Sequence, residues 1–386
     1  MPSNKKLLQA AAGSAGGDPL YVEDVFSTYL YNGNSSNRDI VNGVDLTEGG
    51  LVWTKARSNA IGNELFDTER GIDRRLVTNS SAAEYYELNS LSGFNSNGFS
   101  LSTAGNTNGS AVTYASWSFR KAEKFFDVVT YTGNAVNGRQ IAHNLGSTPG
   151  MIVVKRINGG AEWPVYHEST GAGQYLFLST TDQKSPYDGP GNTNSRYWNN
   201  TAPTSTNFSV SNDGWVNASD GTYVAYLFAS DAGGYGDDGD ENIIKCGSYV
   251  GDGTSQEIDL GWEAQFVIAK RVSTTGNWYA ADSMRGEVTL SPNSSNAEDN
   301  NPEIEYTARG FKPKSNLDTA HTYIYMAIRR PMKTPTAGTE VFAVSQGASG
   351  VSEPGIRNSP AFPVDFAILT NPTANGYNRT TGSRLT

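Results

Sequence analysis

Met151-Ile152-Val153-Val154-Lys155-Arg156, followed by the turn Tyr166-His167-Glu168-Ser169-Thr170-Gly171, is the stretch from which the fold can be read. A short apolar run ending in two cations suits a strand covered on both faces, in the centre of a sandwich. A helix would need a longer segment on a 3.6-residue period. Gly171 closes the turn, as expected where a strand ends in a position of positive φ that a Cβ would strain.

The same unit recurs with a period of about one hundred residues. Leu51-Val52-Trp53-Thr54-Lys55 precedes Phe66-Asp67-Thr68-Glu69-Arg70-Gly71, and Phe266-Val267-Ile268-Ala269-Lys270-Arg271 precedes Ala281-Asp282-Ser283-Met284-Arg285-Gly286. A fourth version, Phe366-Ala367-Ile368-Leu369-Thr370-Asn371 before Tyr377-Asn378-Arg379-Thr380-Thr381-Gly382, has lost the basic pair. Upstream lies an opening strand, Tyr31-Asn32-Gly33-Asn34, Tyr131-Thr132-Gly133-Asn134 or Tyr249-Val250-Gly251-Asp252. Downstream comes a closing aromatic strand: Tyr114–Phe119, Tyr223–Phe228 and Tyr323–Ile328. One domain copied in order explains these matches.

The expected fold is therefore all-β: tandem β-sandwich domains over 24–122, 126–232 and 245–332, with a partial fourth repeat over 340–386. Composition agrees. Only 18% of residues are charged and 42 are glycine, a profile that suits short strands joined by turns. Residues 1–23 read as an N-terminal arm with a short helix over 5–12, too short and too interrupted for a signal peptide. Residues 233–240 read as the longest and most flexible linker, and 330–336 as a stiffer one.

A net charge of −10 argues against nucleic acid as a partner. No apolar run has the length of about 20 residues that spans a bilayer, so no membrane insertion is expected. Cys246 is the single cysteine, which rules out an intrachain disulfide or a multi-cysteine zinc site. His143, His167 and His321 fall at non-equivalent places in the repeat, without ligand spacing. No metal or cofactor is expected.

Catalysis meets a test within the chain itself. Asp67 and Glu69 make a carboxylate pair in the first copy, but His167 and Ser169, then Asp282 and Met284, stand in their places. A pair that is not kept between copies reads as turn chemistry. No catalytic residue is assigned, and the chain is expected not to be an enzyme.

Aromatic side chains are the remaining candidates, since sugar rings stack on them. Trp163 and Trp278 hold matching places just before the repeated turn, while Trp198 and Trp215 lie in the enlarged second copy. These four are the expected ligand-binding residues. Gly71, Gly171, Gly286 and Gly382 are the expected structural residues of the repeated turn.

The ordered set of Tyr131–Asn134, Met151–Arg156, Phe66–Gly71 and Gly221–Phe228 resembles a repeated β-domain of tailed-phage virion proteins, notably tail fibres and other tail components. That resemblance covers most of residues 24–386. It implies jelly-roll or lectin-like sandwiches, a virion location in the phage tail, a homo-oligomer with a trimer favoured, and contact with a host surface glycan. It also implies attachment to other tail proteins through the N-terminal arm. The rival expectation is a secreted carbohydrate-binding or carbohydrate-active protein built from lectin-like modules.

Overall fold

In each of the first three repeats the apolar run and the closing aromatic segment become neighbouring inner strands of one sheet. The computed structural model describes residues 19–186, 196–286, 288–335 and 337, and the backbone of strands 366–369 and 380–383. The first repeat holds β1 (Phe26–Asn32), β2 (Arg38–Val41), β3 (Gly50–Ala56), β4 (Asn63–Asp67), β5 (Arg74–Val77), β6 (Tyr85–Tyr86), β7 (Leu91–Asn95), β8 (Gly98–Leu101) and β9 (Thr113–Arg120). The second holds β10 (Phe126–Thr132), β11 (Arg139–Ala142), β12 (Pro149–Arg156), β13 (Pro164–His167), β14 (Gln174–Phe177), β15 (Ser185–Pro186), β16 (Asn207–Val210) and β17 (Thr222–Ala229). The third holds β18 (Ile244–Val250), β19 (Ile258–Asp259), β20 (Ala264–Arg271), β21 (Trp278–Asp282), β22 (Thr289–Leu290), β23 (Ile304–Thr307), β24 (Gly310–Pro313) and β25 (Thr322–Arg329).

The large sheets run β1-β9-β3-β4-β5-β6, β10-β17-β12-β13-β14-β15 and β18-β25-β20-β21-β22, and the small ones β2-β8-β7, β11-β16 and β19-β24-β23. The architecture is all-β, of sandwich type. Registers match between copies. Tyr31 faces Tyr114, Tyr131 faces Tyr223 and Tyr249 faces Tyr323, each pair stacked with ring centroids 5.0–5.1 Å apart.

Alternation along the apolar run shows why it must be apolar throughout. Val52 and Ala56 face the inner core of the first sandwich, with Ile40, Phe66 and Phe99. Leu51 and Trp53 point the other way, into a second core shared by all three repeats. In the third repeat Val267 and Ala269 face inward, while Phe266 and Ile268 enter the shared core. Successive residues of a strand point to opposite faces, so a strand between two cores needs apolar residues at both parities. At the shared core the Phe119 ring lies 5.6 Å from that of Phe228 and 6.3 Å from that of Phe266, joining three repeats at one point.

The expectation of tandem sandwiches with a flexible linker between the second and third therefore needs correction. The expected flexible linker at 233–240 is pinned: Tyr235 is buried, its hydroxyl donates to the Glu123 carbonyl at 3.0 Å, and the Gly236 amide donates to the Leu20 carbonyl at 2.9 Å. Beyond β25, the Met332 and Lys333 amides donate to the carboxylate of Glu23 at 3.1 and 2.8 Å. Glu23 belongs to a single helical turn, Val22–Val25, whose valines enter the shared core.

Gly71, Gly171 and Gly286 occupy matching turns with φ of +96°, +72° and +79°. A Cβ there would meet nothing within 4 Å, so backbone conformation rather than crowding calls for glycine. Gly382 differs from expectation. It lies inside β27 (Thr380–Ser383), opposite Ala367 of β26 (Phe366–Leu369), and not in a turn. The β-branched pair Thr380-Thr381 continues the extended backbone where the other copies bend. The rest of the fourth repeat, and the helix expected over 5–12, lie outside the described residues.

Candidate functional site

Polar residues of the repeated motif meet across the seams between repeats. In the first three repeats a lysine ends the apolar run, and its ammonium crosses to carbonyls of the preceding repeat in a closed ring. Lys155 donates to the Ser81 carbonyl at 2.9 Å, Lys270 to that of Thr181 at 3.0 Å, and Lys55 to those of Ser295 and Asn296 at 3.0 and 2.8 Å. Burial lowers all three to about 8, so each still carries its proton at neutral pH and donates to these oxygens.

The repeated turn supplies a second lock. Between the first and second repeats, Arg70 Nε lies 2.6 Å from Asp67 Oδ2 and its Nη1 lies 3.1 Å from Glu84 Oε2. The Tyr226 hydroxyl donates to Asp67 Oδ2 from across the seam at 2.7 Å. Between the third and first repeats the same lock is built from Asp282, Arg285 and Glu298, and Trp117 Nε1 donates to Asp282 at 3.1 Å. At the remaining seam Met326 holds the place of Tyr226 and Trp117. Methionine has no hydrogen to donate, so an aspartate opposite it would lose that partner. His167 stands there instead, with Nε2 3.0 Å from the Tyr325 carbonyl and Nδ1 accepting from the Ser169 amide at 3.2 Å. That pair of bonds selects the neutral ring protonated on Nε2, and burial pushes its pKa down to about 4. Thr170 and Lys184 replace the arginine and glutamate, so the whole set changes together.

The tryptophans expected to bind ligand are placed elsewhere than anticipated. Trp163 and Trp278 are 0% and 1% exposed, and their indole N–H groups donate across seams to the Ser80 and Phe177 carbonyls at 2.9 and 2.8 Å. An indole so enclosed has no face to offer a sugar; its role is to tie repeats together. Trp198 is 1% exposed and packs edge-on against Tyr166. Trp215 keeps partial exposure, stacked 6.0 Å from Tyr197 with the Arg196 guanidinium 5.5 Å from its ring. Residue type alone made these four candidates, but burial depends on neighbours distant in sequence.

An open groove of about 520 Å³ runs along the seam between the first two repeats. Glu69, Arg70, Arg74 and Glu84 line it from the first repeat, and Thr130, Tyr131, Thr132, Ile157, Thr222 and Tyr223 from the second. Beside the groove, the guanidinium of the lining residue Arg74 lies over the ring of Tyr86 at 5.2 Å; Arg75, next along β5 and so directed to the opposite face of the sheet, lies over Tyr85 at 4.6 Å. Tyr86 is 63% exposed and Tyr85 41%. The tyrosine pair was missed by sequence reasoning, although the repeats contain its signal: by register, Ser185-Pro186 and Asp299-Asn300 stand at the same place in the other copies.

No curated protein matches this chain. A family model does match it across all three repeats, residues 22–331, and on that evidence the chain belongs to the family described as Domain of unknown function (DUF7483).

Proposed function

We propose that this chain is a structural protein of a phage virion, a tail fibre or tail appendage, that acts by packing and surface contact rather than by catalysis. The observation that carries this reading is the use made of the repeated polar motif: its aspartates, arginines and lysines bond one repeat to the next. The resemblance of the repeated segments to tail-protein β-domains supplies the virion location. In this reading residues 1–23 attach the chain to other tail proteins and the sandwiches face the host. The chain assembles as a homo-oligomer, with a trimer the favoured state. Light scattering separates a single chain of 41.4 kDa from three times that mass.

The decisive experiment is mass spectrometry of purified particles together with antibody labelling of their tails. The chain is expected in the particle and at the tail; particles that lack it would overturn the proposal. The rival reading, a carbohydrate-active enzyme, finds one feature in its favour, the carboxylates of Glu69 and Glu84 in the groove. Both oxygens of Glu84 are engaged by Arg70 and Arg74, at 3.1 and 3.6 Å, which leaves Glu69 without a free acidic partner there. Release of reducing ends from a polysaccharide by the purified chain would favour the rival.

A further inference from the structure

We propose that the groove between the first and second repeats is a binding site for a neutral, hydroxyl-rich ligand, a saccharide, with Tyr86 as its stacking platform. This deepens the reading of the chain as a surface-contact protein and rests on it only for the source of the sugar.

Equivalent seams of the ring are filled differently. At the seam between the third and first repeats, Arg57 stands where Ile157 stands at the groove. Its guanidinium reaches across to Glu298, with Nε 3.0 and 3.1 Å from the two carboxylate oxygens and Nη2 at 2.8 Å. That arginine spans its seam. Ile157 is too short to do the same toward Glu84, although the backbone bond is kept: the Glu84 amide donates to the Ile157 carbonyl at 3.0 Å, as the Glu298 amide does to Arg57 at 2.8 Å. The groove therefore coexists with an intact seam, and its open space is not a packing requirement. The exposed Tyr86 beside it is likewise a departure, since Pro186 and Asn300 stand at that position in the other copies.

The chemistry of the lining selects the ligand class. The charged groups of the lining are already paired, Glu84 with Arg70 and Arg74 and Glu69 with Lys121 at 2.8 Å, so the groove offers neither an anion nor a cation an unpaired counter-charge. A neutral hydroxyl suits such a lining, because it can donate to the lone pairs that the paired carboxylates keep. Thr130, Thr132 and Thr222 extend that pattern along the second repeat. Tyr86, exposed and held against the lining residue Arg74, adds an apolar ring face beside the groove, against which the C–H face of a sugar ring can lie. The volume falls within the range of about 300–1,000 Å³ typical of small-molecule sites.

The test uses the full chain on a printed array of neutral and anionic oligosaccharides, with three variants. Tyr86→Ala removes the platform, Ile157→Arg transplants the plug found at the sister seam, and Trp215→Ala alters an aromatic outside the groove. Binding to a subset of neutral glycans is expected, weakened about ten-fold or more by the first two variants and unchanged by the third. An unaltered melting temperature in Ile157→Arg shows that the seam is intact. No neutral glycan bound, binding confined to anionic glycans, or binding kept in both groove variants would each overturn the proposal. Glycan binding without the chain in particles would sink only the virion reading; particle incorporation without glycan binding would sink only the groove.

Discussion

His167 is the titratable centre of a seam contact whose whole residue set differs from its two counterparts. Its folded pKa of about 4 lies below the value of about 6.5 expected in the unfolded chain. As pH falls, the unfolded chain takes up the proton first. The stability tied to neutral His167 is therefore present above about pH 6.5 and lost progressively toward pH 4, a swing of roughly 3 kcal/mol. Burial raises Glu64, Glu168 and Glu303, which act in the opposite sense as pH falls, so the comparison must be with a variant. His167→Gln keeps a donor for the Tyr325 carbonyl and removes the titration. Urea unfolding at pH 7 and pH 5 should show a loss in the wild type that His167→Gln largely lacks; equal losses would refute this assignment. His167→Asp, by contrast, buries a carboxylate opposite Met326 without a donor and should cost about 3–5 kcal/mol. Adding Thr170→Arg and Met326→Tyr should recover a large part of that loss, measured as a coupling energy in a mutant cycle.

At the scale of elements, the strand and its turn carry separate demands. The turn glycines answer a backbone requirement with open space around them. Gly286→Ala should cost about 1–2 kcal/mol through the left-handed conformation alone, read as a shift in denaturant midpoint. The lysine that ends the strand answers a different requirement. Lys155 Nζ donates to the Ser81 and Ala161 carbonyls, one on each side of a seam. Lys155→Met should leave both oxygens without that donor and destabilise by about 2–4 kcal/mol, more than a surface lysine would. Sequence reasoning placed these cations as strand-end charges. Their aim across the seam is visible only once the neighbouring repeat is in place.

At the scale of the molecule, the shared core makes the repeats depend on one another. Phe119 contacts rings from the second and third repeats, so Phe119→Ala should cost about 3–5 kcal/mol to all three at once. Residues 19–335 should therefore unfold in one calorimetric transition, with its midpoint lowered but its shape unchanged in the variant. Separate transitions for separate repeats would contradict a common core. A third repeat produced alone would expose Phe266, Ile268 and Ile328 to water and should associate or fail to fold.

Sequence by itself determined the opening, apolar and closing strands of the first three repeats, the turns at Gly71, Gly171 and Gly286, and the existence of a copied unit, because side-chain alternation and the φ preference of glycine act within a few residues. It also marked Met151–Arg156 as covered on both faces, since a half-exposed strand would alternate apolar with polar residues. Only the tertiary structure decided what covers the second face: the neighbouring repeats, closed into a ring around Phe119, Phe228 and Phe266. The same long-range packing enclosed Trp163 and Trp278 and left Tyr85 and Tyr86 in the open. Burial is the sum of contacts from distant parts of the chain, and an aromatic residue next to a turn looks the same in sequence whether or not a neighbour arrives to cover it.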